Sequence, residues 1–254
     1  MVGRSVKKML EKRDIKENLL LAALPGESLE RLLPALERVV LPPAEILFNY
    51  EDVVDQLYFP GRDTVISFLC RTDEYDNVEI GLCGNEGAVG IPALFGVETT
   101  AHQNLVQIPG VGFRLSVSAA QDEFRRGGRF QELILKFSHS LFIQVSQTAL
   151  CNRLHADEER LARWLLLSND RVNSRQLPLP RELLAKLLGR SVSSASLTVS
   201  LLERAGLLSY DGRELTITDR ERLETVACNC YWVARRQASR VLEISHGSAH
   251  KSSR

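Results

Sequence analysis

The chain has 254 residues, 44% hydrophobic and 25% charged, with 32 Lys+Arg against 32 Asp+Glu. Those values suit one large or two ordinary globular domains and exclude a fibrous or disordered chain. The longest apolar run near the N-terminus, residues 19–24, is too short for a membrane span of about 20 residues or a secretory core of about 7 to 15. A cytoplasmic protein with no membrane partner is expected. The five cysteines, Cys70, Cys83, Cys151, Cys228 and Cys230, are odd in number and scattered, which argues for reduced thiols rather than a disulfide framework.

Residues 15–40 carry apolar positions at helical spacing, broken at Leu24-Pro25-Gly26 and restarting behind Ser28. After Pro42-Pro43 the texture changes to short β-rich runs at 46–48, 56–59, 65–69, 78–82, 105–107 and 112–115, separated by Gly- and Pro-containing turns. Strands at that interval predict an antiparallel β-roll or jelly roll within a first domain spanning residues 1–128. A long helix then begins near Phe130, with no Gly or Pro before Pro178. Phe130, Ile134, Phe137, Leu141, Gln144 and Thr148 recur at alternating spacings of four and three, the pattern of a coiled-coil seam. They are the candidate homodimer interface. A second stripe, Leu133, Leu135, Phe142, Val145 and Ala149, lies on other faces, so the helix needs two partners. This dimerisation helix and its hinge are assigned residues 129–168, and His139 and His155 are read as surface or seam residues rather than ligands.

Charge divides the chain unevenly. Residues 1–150 hold 15 Lys+Arg and 20 Asp+Glu, a net of −5, while residues 151–254 hold 17 and 12, a net of +5. A basic second part is a candidate for a polyanion. Within it the polar stretch 168–178 reads as a loop, and a short helix follows behind Pro180. Gly189 supplies a turn, Ser191 caps a second helix, and Gly206 ends it. Residues 207–210 and 214–218 read as strands joined at Asp211-Gly212, and 219–227 as a closing helix. The outline is a winged helix-turn-helix over residues 169–245, with a second helix of the kind that enters a major groove. The candidate DNA-contacting residues are Arg190, Ser191, Val192, Ser193, Ser194 and Ser196, with Thr198 and Ser200 on the same face and Arg213 at the wing tip. Residues 246–254 are small, polar and basic and are expected to be a disordered tail.

Several segments carry a family likeness. They are Gly84-Asn85-Glu86-Gly87-Ala88-Val89-Gly90, Gln147-Thr148-Ala149-Leu150-Cys151-Asn152-Arg153-Leu154-His155 and Glu159-Arg160-Leu161-Ala162-Arg163-Trp164-Leu165-Leu166. Leu183-Leu184-Ala185-Lys186-Leu187-Leu188-Gly189, Ile217-Thr218-Asp219-Arg220 and Ala227-Cys228-Asn229-Cys230-Tyr231 continue the series. In these the chain resembles the Crp/Fnr family of bacterial transcription regulators, over roughly Leu19 to Trp232. The resemblance implies an α+β fold: an N-terminal cyclic-nucleotide-binding-like β-roll, a long dimerisation helix and a C-terminal winged helix-turn-helix. It also implies a homodimer on a palindromic operator in double-stranded DNA, with RNA polymerase as a further partner.

The resemblance places an effector site, where the family has one, near Glu86, Gly87, His102 and Gln103. Cyclic-AMP-binding members hold the phosphate with an Arg-Ser or Arg-Thr pair, and here the stretch is Thr99-Thr100-Ala101-His102-Gln103. Without the arginine's charge-assisted fork, cyclic AMP is not expected. No N-terminal cysteine cluster and no Cys-x-x-Cys occur, so an iron–sulfur cluster is not expected either. Cys228 and Cys230, two apart, would point to different sides of a helix, and no metal or cofactor is predicted. The recognition helix also lacks the family's usual arginines, since Ser191-Val192-Ser193 and Leu197 stand there, and Arg190 is the remaining candidate for a bidentate guanine contact. An alternative is therefore a ligand-sensing or protein-docking module that has lost DNA binding. No Gly-rich phosphate loop and no nucleophile with a paired base is present, so no enzyme is expected.

Overall fold

The computed structural model describes Leu10, residues 14–71 and residues 77–243. The expected disordered tail lies outside the described residues. Two short helices, α1 (Leu19–Ala22) and α2 (Gly26–Leu32), open the fold. Asn18 caps α1 by accepting from Leu21 N at 3.1 Å, and its buried amide donates to the carbonyls of Pro60 and Gly87. A single polar side chain thus pins the entering chain to the β-roll.

Helical spacing does not continue to residue 40. Leu36–Leu41 is strand β1, with Leu36, Val39 and Leu41 buried, and Val39-Val40 supplying β-branched side chains that suit a pleated, half-buried surface. The strands β2 (Ile46–Phe48), β3 (Gln56–Pro60), β4 (Val65–Arg71), β5 (Asn77–Cys83), β6 (Gln103–Ile108) and β7 (Gly110–Ser116) follow, close to the expected runs. They form two antiparallel sheets, ordered β1-β7-β3 and β2-β6-β4-β5. Leu57, Phe59, Ile66, Val106, Phe113 and Leu115 fill the space between them. Such a two-sheet roll buries one face of each strand and leaves the other for solvent or helices.

Helix α3 (Val117–Arg125), capped by Ser116, leads into the 27-residue helix α4 (Gly128–Leu154). Here the expected dimer seam is corrected. Phe130, Ile134, Phe137, Gln144 and Thr148 are buried within their own chain, and Leu141 is partly so. Gln144 Oε1 accepts from Leu82 N at 2.6 Å while its amide donates to Leu82 O, so it completes the edge of β5. The β-roll is a large apolar surface held in the same chain, and it occupies that seam. An exposed stripe on α4 runs through Leu135, His139, Phe142, Ser146, Ala149 and Arg153, also at alternating four and three, and Leu150 and Leu154 are exposed near its end.

Helix α4 ends at Leu154 and α5 (Asp157–Asn169) begins at once. The expected loop at 168–178 contains strand β8 (Gln176–Pro178). Helices α6 (Arg181–Leu188) and α7 (Val192–Arg204), strands β9 (Leu208–Tyr210) and β10 (Glu214–Ile217), and helix α8 (Arg220–Val226) complete the winged helix-turn-helix. β8 pairs with β10, giving a three-stranded wing ordered β8-β10-β9. Leu161, Leu165, Leu184, Leu188, Ala195, Val199, Leu202, Leu215 and Leu223 build its core. Val65, Leu82 and Ile108 of the β-roll belong to that same cluster, so the two domains share a packed boundary. A further helix, α9 (Cys230–Arg240), was not expected; it returns to α4, where Arg129 donates to Leu242 O at 3.0 Å.

Candidate nucleic-acid interface

Helix α6 ends because Gly189 adopts φ 59°, and its N–H caps the last carbonyls of the helix. Two residues later Ser191 Oγ accepts from Ser194 N, opening α7 as the sequence anticipates. The chain therefore reverses in three residues and leaves the N-terminal turn of α7 at the surface. Ser191, Val192 and Ser193 are exposed and Ser194 and Ser196 are partly so. Ala195, Val199 and Leu202 face the core, while Leu201 is 42% exposed. Thr198, expected on the outer face, is buried. Leu197 is exposed.

Three hydroxyls on α7 are engaged by the preceding turn. Ser196 Oγ donates to Val192 O at 2.8 Å, Ser200 Oγ to Ser196 O at 3.0 Å and Thr198 Oγ1 to Ser194 O at 3.3 Å. A serine hydroxyl has one donor and two acceptor lone pairs. With its proton spent on the preceding turn, Ser196 offers an acceptor, suited to the amino groups of adenine or cytosine in the major groove.

Arg190 is not free. Its Nε donates to Asp157 Oδ2 at 2.9 Å, while the side chain remains half exposed. Burial pushes the Asp157 carboxyl up, but the hydrogen bond from Arg190 and the charges of Arg190 and Arg160 hold it below its ordinary value. The wing tip shifts by one residue from expectation: Asp211 N donates to Glu214 O, so Gly212 and Arg213 are the central pair of the turn. Asp211 Oδ1 accepts from the backbone N–H groups of Arg213 and Glu214, which lowers its pKa and leaves Arg213 pointing outward. Gly212 has φ 96°, a conformation that favours glycine, and a Cβ there would lie 3.3 Å from Arg181 Nε. Arg181, exposed in the first turn of α6, thus sits over the wing turn. Sequence reasoning missed it because the pairing of β8 with β10, which brings the α6 entrance beside the wing, was not recognised. Tyr210 OH donates to Leu179 O at 2.8 Å and braces the same junction.

These elements lie inside a recognisable unit. Residues 159–226 match the family model of the Crp-like helix-turn-helix domain. Solved structures match beyond the Crp-like domain, at identities that speak for the fold alone. The c-di-GMP-responsive global regulator CLP of Xanthomonas campestris aligns over 76% of this chain and 99% of its own, at 20% identity and a TM-score of 0.62. FixK2 of Bradyrhizobium japonicum aligns over 76% and 98%, at 14% identity and a TM-score of 0.64. A CRP-family transcriptional regulator of Thermus thermophilus aligns over 74% and 95%, at 16% identity and a TM-score of 0.60. No curated protein matches the chain. The Crp-like domain thus has its α7 and wing where such a domain presents a duplex-reading surface.

The four candidate effector residues do not converge, which corrects the expected ligand site. Along β4, Ile66 is opposite Cys83 and Leu69 is opposite Gln103, so Glu86 and Gly87 lie off one end of the sheet and His102 and Gln103 off the other. Glu86 Oε1 accepts from Arg171 Nε at 2.8 Å, joining the β-roll to the end of α5. Gly87 makes a close approach, since a Cβ there would fall 2.2 Å from the Phe137 ring. Both residues are therefore structural. His102 N–H bonds Thr100 Oγ1 in a local turn, and burial lowers the imidazole pKa. Gln103 bonds the side chains of Asn49 and Asn77. A cleft of about 290 Å³ does touch Glu86, lined also by Asn85, Asp170, Arg171 and Arg235.

The domain boundary holds a buried carboxyl. Glu79 on β5 accepts from Trp164 Nε1 on α5 at 2.8 Å, and Ser67 Oγ lies 2.8 Å from its other oxygen. Burial drives its pKa up to about 8, against the lowering effects of these hydrogen bonds and of Arg163 and Arg171. Finally, Cys228 and Cys230 are not on opposite sides of a helix. Cys228 lies in the linker before α9 and Cys230 is its first residue, so both thiols can turn inward, and both are buried. His155, at the end of α4, is no seam residue: its Nδ1 is 3.7 Å from Cys230 Sγ. Among the described residues no helix is long and apolar enough to cross a membrane.

Proposed function

We propose that this protein is a sequence-specific DNA-binding transcription regulator, acting as a homodimer on a palindromic operator in the reducing cytoplasm. The observation that carries the reading is the exposed N-terminal turn of α7 in a Crp-like domain whose wing turn also leaves Arg213 exposed. A helix N-terminus favours phosphate, and Arg181, Lys186, Arg190 and Arg213 are exposed on the surrounding elements. The second copy docks on the exposed α4 stripe Leu135, Phe142 and Ala149, where a two-fold axis would bring identical apolar residues together. Contact with RNA polymerase belongs to the same reading and rests on the family resemblance. Control by a small molecule other than cyclic AMP would use a site other than the four scattered residues, and the cleft beside Glu86 is a cavity in reach of the domain boundary.

Selection of the full chain on a random duplex library at near-physiological salt tests this. A recovered palindrome with half-site centres about one helical turn apart supports it. Arg213→Ala should then weaken binding to all sequences alike and reduce the salt slope by about one. Absence of enrichment for the dimeric protein, with or without cell extract metabolites, would favour the protein-docking reading, for which exposed Leu197 and Leu201 on α7 would be the surface.

A further inference from the structure

Four metal-ligating side chains meet at one point outside the interface. The sulfurs of Cys151, Cys228 and Cys230 and a ring nitrogen of His155 all lie within 4.8 Å of one another. Cys151 Sγ and Cys228 Sγ are 3.5 Å apart and Cys230 Sγ is 3.7 Å from His155 Nδ1. The three cysteines are buried, free of disulfides, and form a small cluster of their own. We propose that Cys151, His155, Cys228 and Cys230 bind a single zinc ion as a closed Cys₃His structural site.

The geometry favours a tetrahedral ion over a chance thiol cluster. Zinc–sulfur bonds of about 2.3 Å and zinc–nitrogen bonds of about 2.0 Å, at tetrahedral angles, set neighbouring ligand atoms roughly 3.5 to 3.8 Å apart. The Cys151–Cys228 and Cys230–His155 pairs already stand at those separations. A cubane iron–sulfur cluster holds its ligands further apart than one ion does, and the spacing here is too tight for it. Four protein ligands leave no open position, so the site is structural rather than catalytic.

Local structure explains how the ligands come together. Cys151 and His155 are four residues apart, one helical turn, so they share a face at the end of α4. His155 N donates to Cys151 O as the helix closes. The other two ligands come from the junction between α8 and α9, Cys228 in the linker and Cys230 as the first residue of α9, a Cys-x-Cys pair that the interior of one helix could not bring to one point. Charge is also provided for. Three thiolates and a neutral imidazole on Zn²⁺ carry a net charge of −1, which is costly to bury alone. The buried guanidinium of Arg163 faces Cys151 and Cys230, donates to Thr148 Oγ1 at 3.1 Å, and has an Nε without a hydrogen-bond partner among the described residues. A cation with spare donor capacity beside three thiolates suits their metal-bound form.

The position gives the ion a task. The ligand pairs flank the Crp-like domain, Cys151 and His155 just before residues 159–226 and Cys228 and Cys230 just after. A zinc ion would staple the end of the long helix to the start of α9 and close the base of the domain between them.

The test is metal analysis of the full-length, tag-free protein, independent of DNA. We expect one zinc per chain, retained by Cys70→Ser and lost in Cys228→Ser. Cobalt(II) added to the chelator-stripped protein should give the intense visible d–d bands and thiolate charge-transfer absorption of tetrahedral sulfur-rich coordination. Arg163→Gln should weaken zinc affinity by roughly 10–100-fold while leaving the cobalt spectrum in place. Absence of zinc together with no cobalt spectrum would overturn the proposal, as would a Cys151–Cys228 disulfide in freshly isolated protein. Should Cys228→Ser fail to fold, the cobalt spectrum of the unaltered chain decides.

Discussion

Arg190 Nε and Asp157 Oδ2 are 2.9 Å apart, so the residue that enters the recognition helix is tied to the first turn of α5. Half of the Arg190 side chain is exposed, and solvent screens the pair enough that a phosphate or guanine can compete for it. Asp157→Asn should therefore strengthen DNA binding and steepen its salt dependence, whereas Arg190→Ala should weaken binding and lower the slope by about one. Anisotropy titrations over a salt series measure both. Unchanged slopes in both variants would remove Arg190 from the interface.

The two faces of α4 should separate in mutagenesis. Phe142→Glu, on the exposed stripe, is expected to dissociate the proposed dimer with little loss of protomer stability, because Phe142 is 67% exposed. Phe137→Ala, on the face turned to the β-roll, should instead cost about 3–5 kcal/mol of stability. Sedimentation velocity reads the first and denaturant unfolding the second; a Phe142→Glu protein that remains dimeric would move the interface elsewhere.

Gly87 tests whether the Gly84–Gly90 turn is structural. A Cβ at this position would overlap Phe137 at 2.2 Å and crowd Cys83 Sγ at 2.8 Å. Gly87→Ala should lower the urea midpoint by an amount equivalent to about 1–3 kcal/mol, and Phe137→Leu in the same chain should restore part of it. A neutral Gly87→Ala would contradict the close approach.

Glu79 should make stability depend on pH. Its carboxyl titrates near 8 in the folded chain and near the usual 4.5 when unfolded, so the folded state holds a proton that the unfolded state releases. The resulting stabilisation is complete below the unfolded pKa, declines as pH rises from about 4.5 to 8, and changes no further above that. Glu79→Gln keeps the acceptor for Trp164 and removes the ionisation. Its stability relative to the unaltered chain should improve by a few kcal/mol between pH 5 and pH 8, since each pH step in that window is worth ~1.4 kcal/mol. Parallel urea curves at the two pH values, with no widening difference, would show that Glu79 ionises without cost.

Local chemistry was legible in the sequence, and long-range partnership was not. Strands β2 to β7 of the β-roll, the Gly189 turn, the Ser191 cap and, to within one residue, the wing hairpin could be read in advance because each depends on residues within a few positions of itself: a positive φ that glycine tolerates, a hydroxyl one turn from an orphan N–H, an alternation of period two. The apolar seam of α4 was equally visible, but periodicity says only that a face is buried, not by what. The β-roll, already tethered to the same chain, took Phe130, Ile134 and Phe137 and left Phe142 outside. Tertiary structure alone decided that Glu86 would meet Arg171, that Arg181 would stand over Gly212, and that Glu79 would be sealed beneath Trp164. It also decided the cysteine cluster. Cys151 and Cys228 are 77 residues apart, and their sulfurs reach 3.5 Å only because α9 folds back on α4 once the intervening domain is packed. Spacing along a chain constrains neighbours on one helix turn or one strand; contacts between distant segments depend on which surfaces bury most together, which is a property of the whole fold.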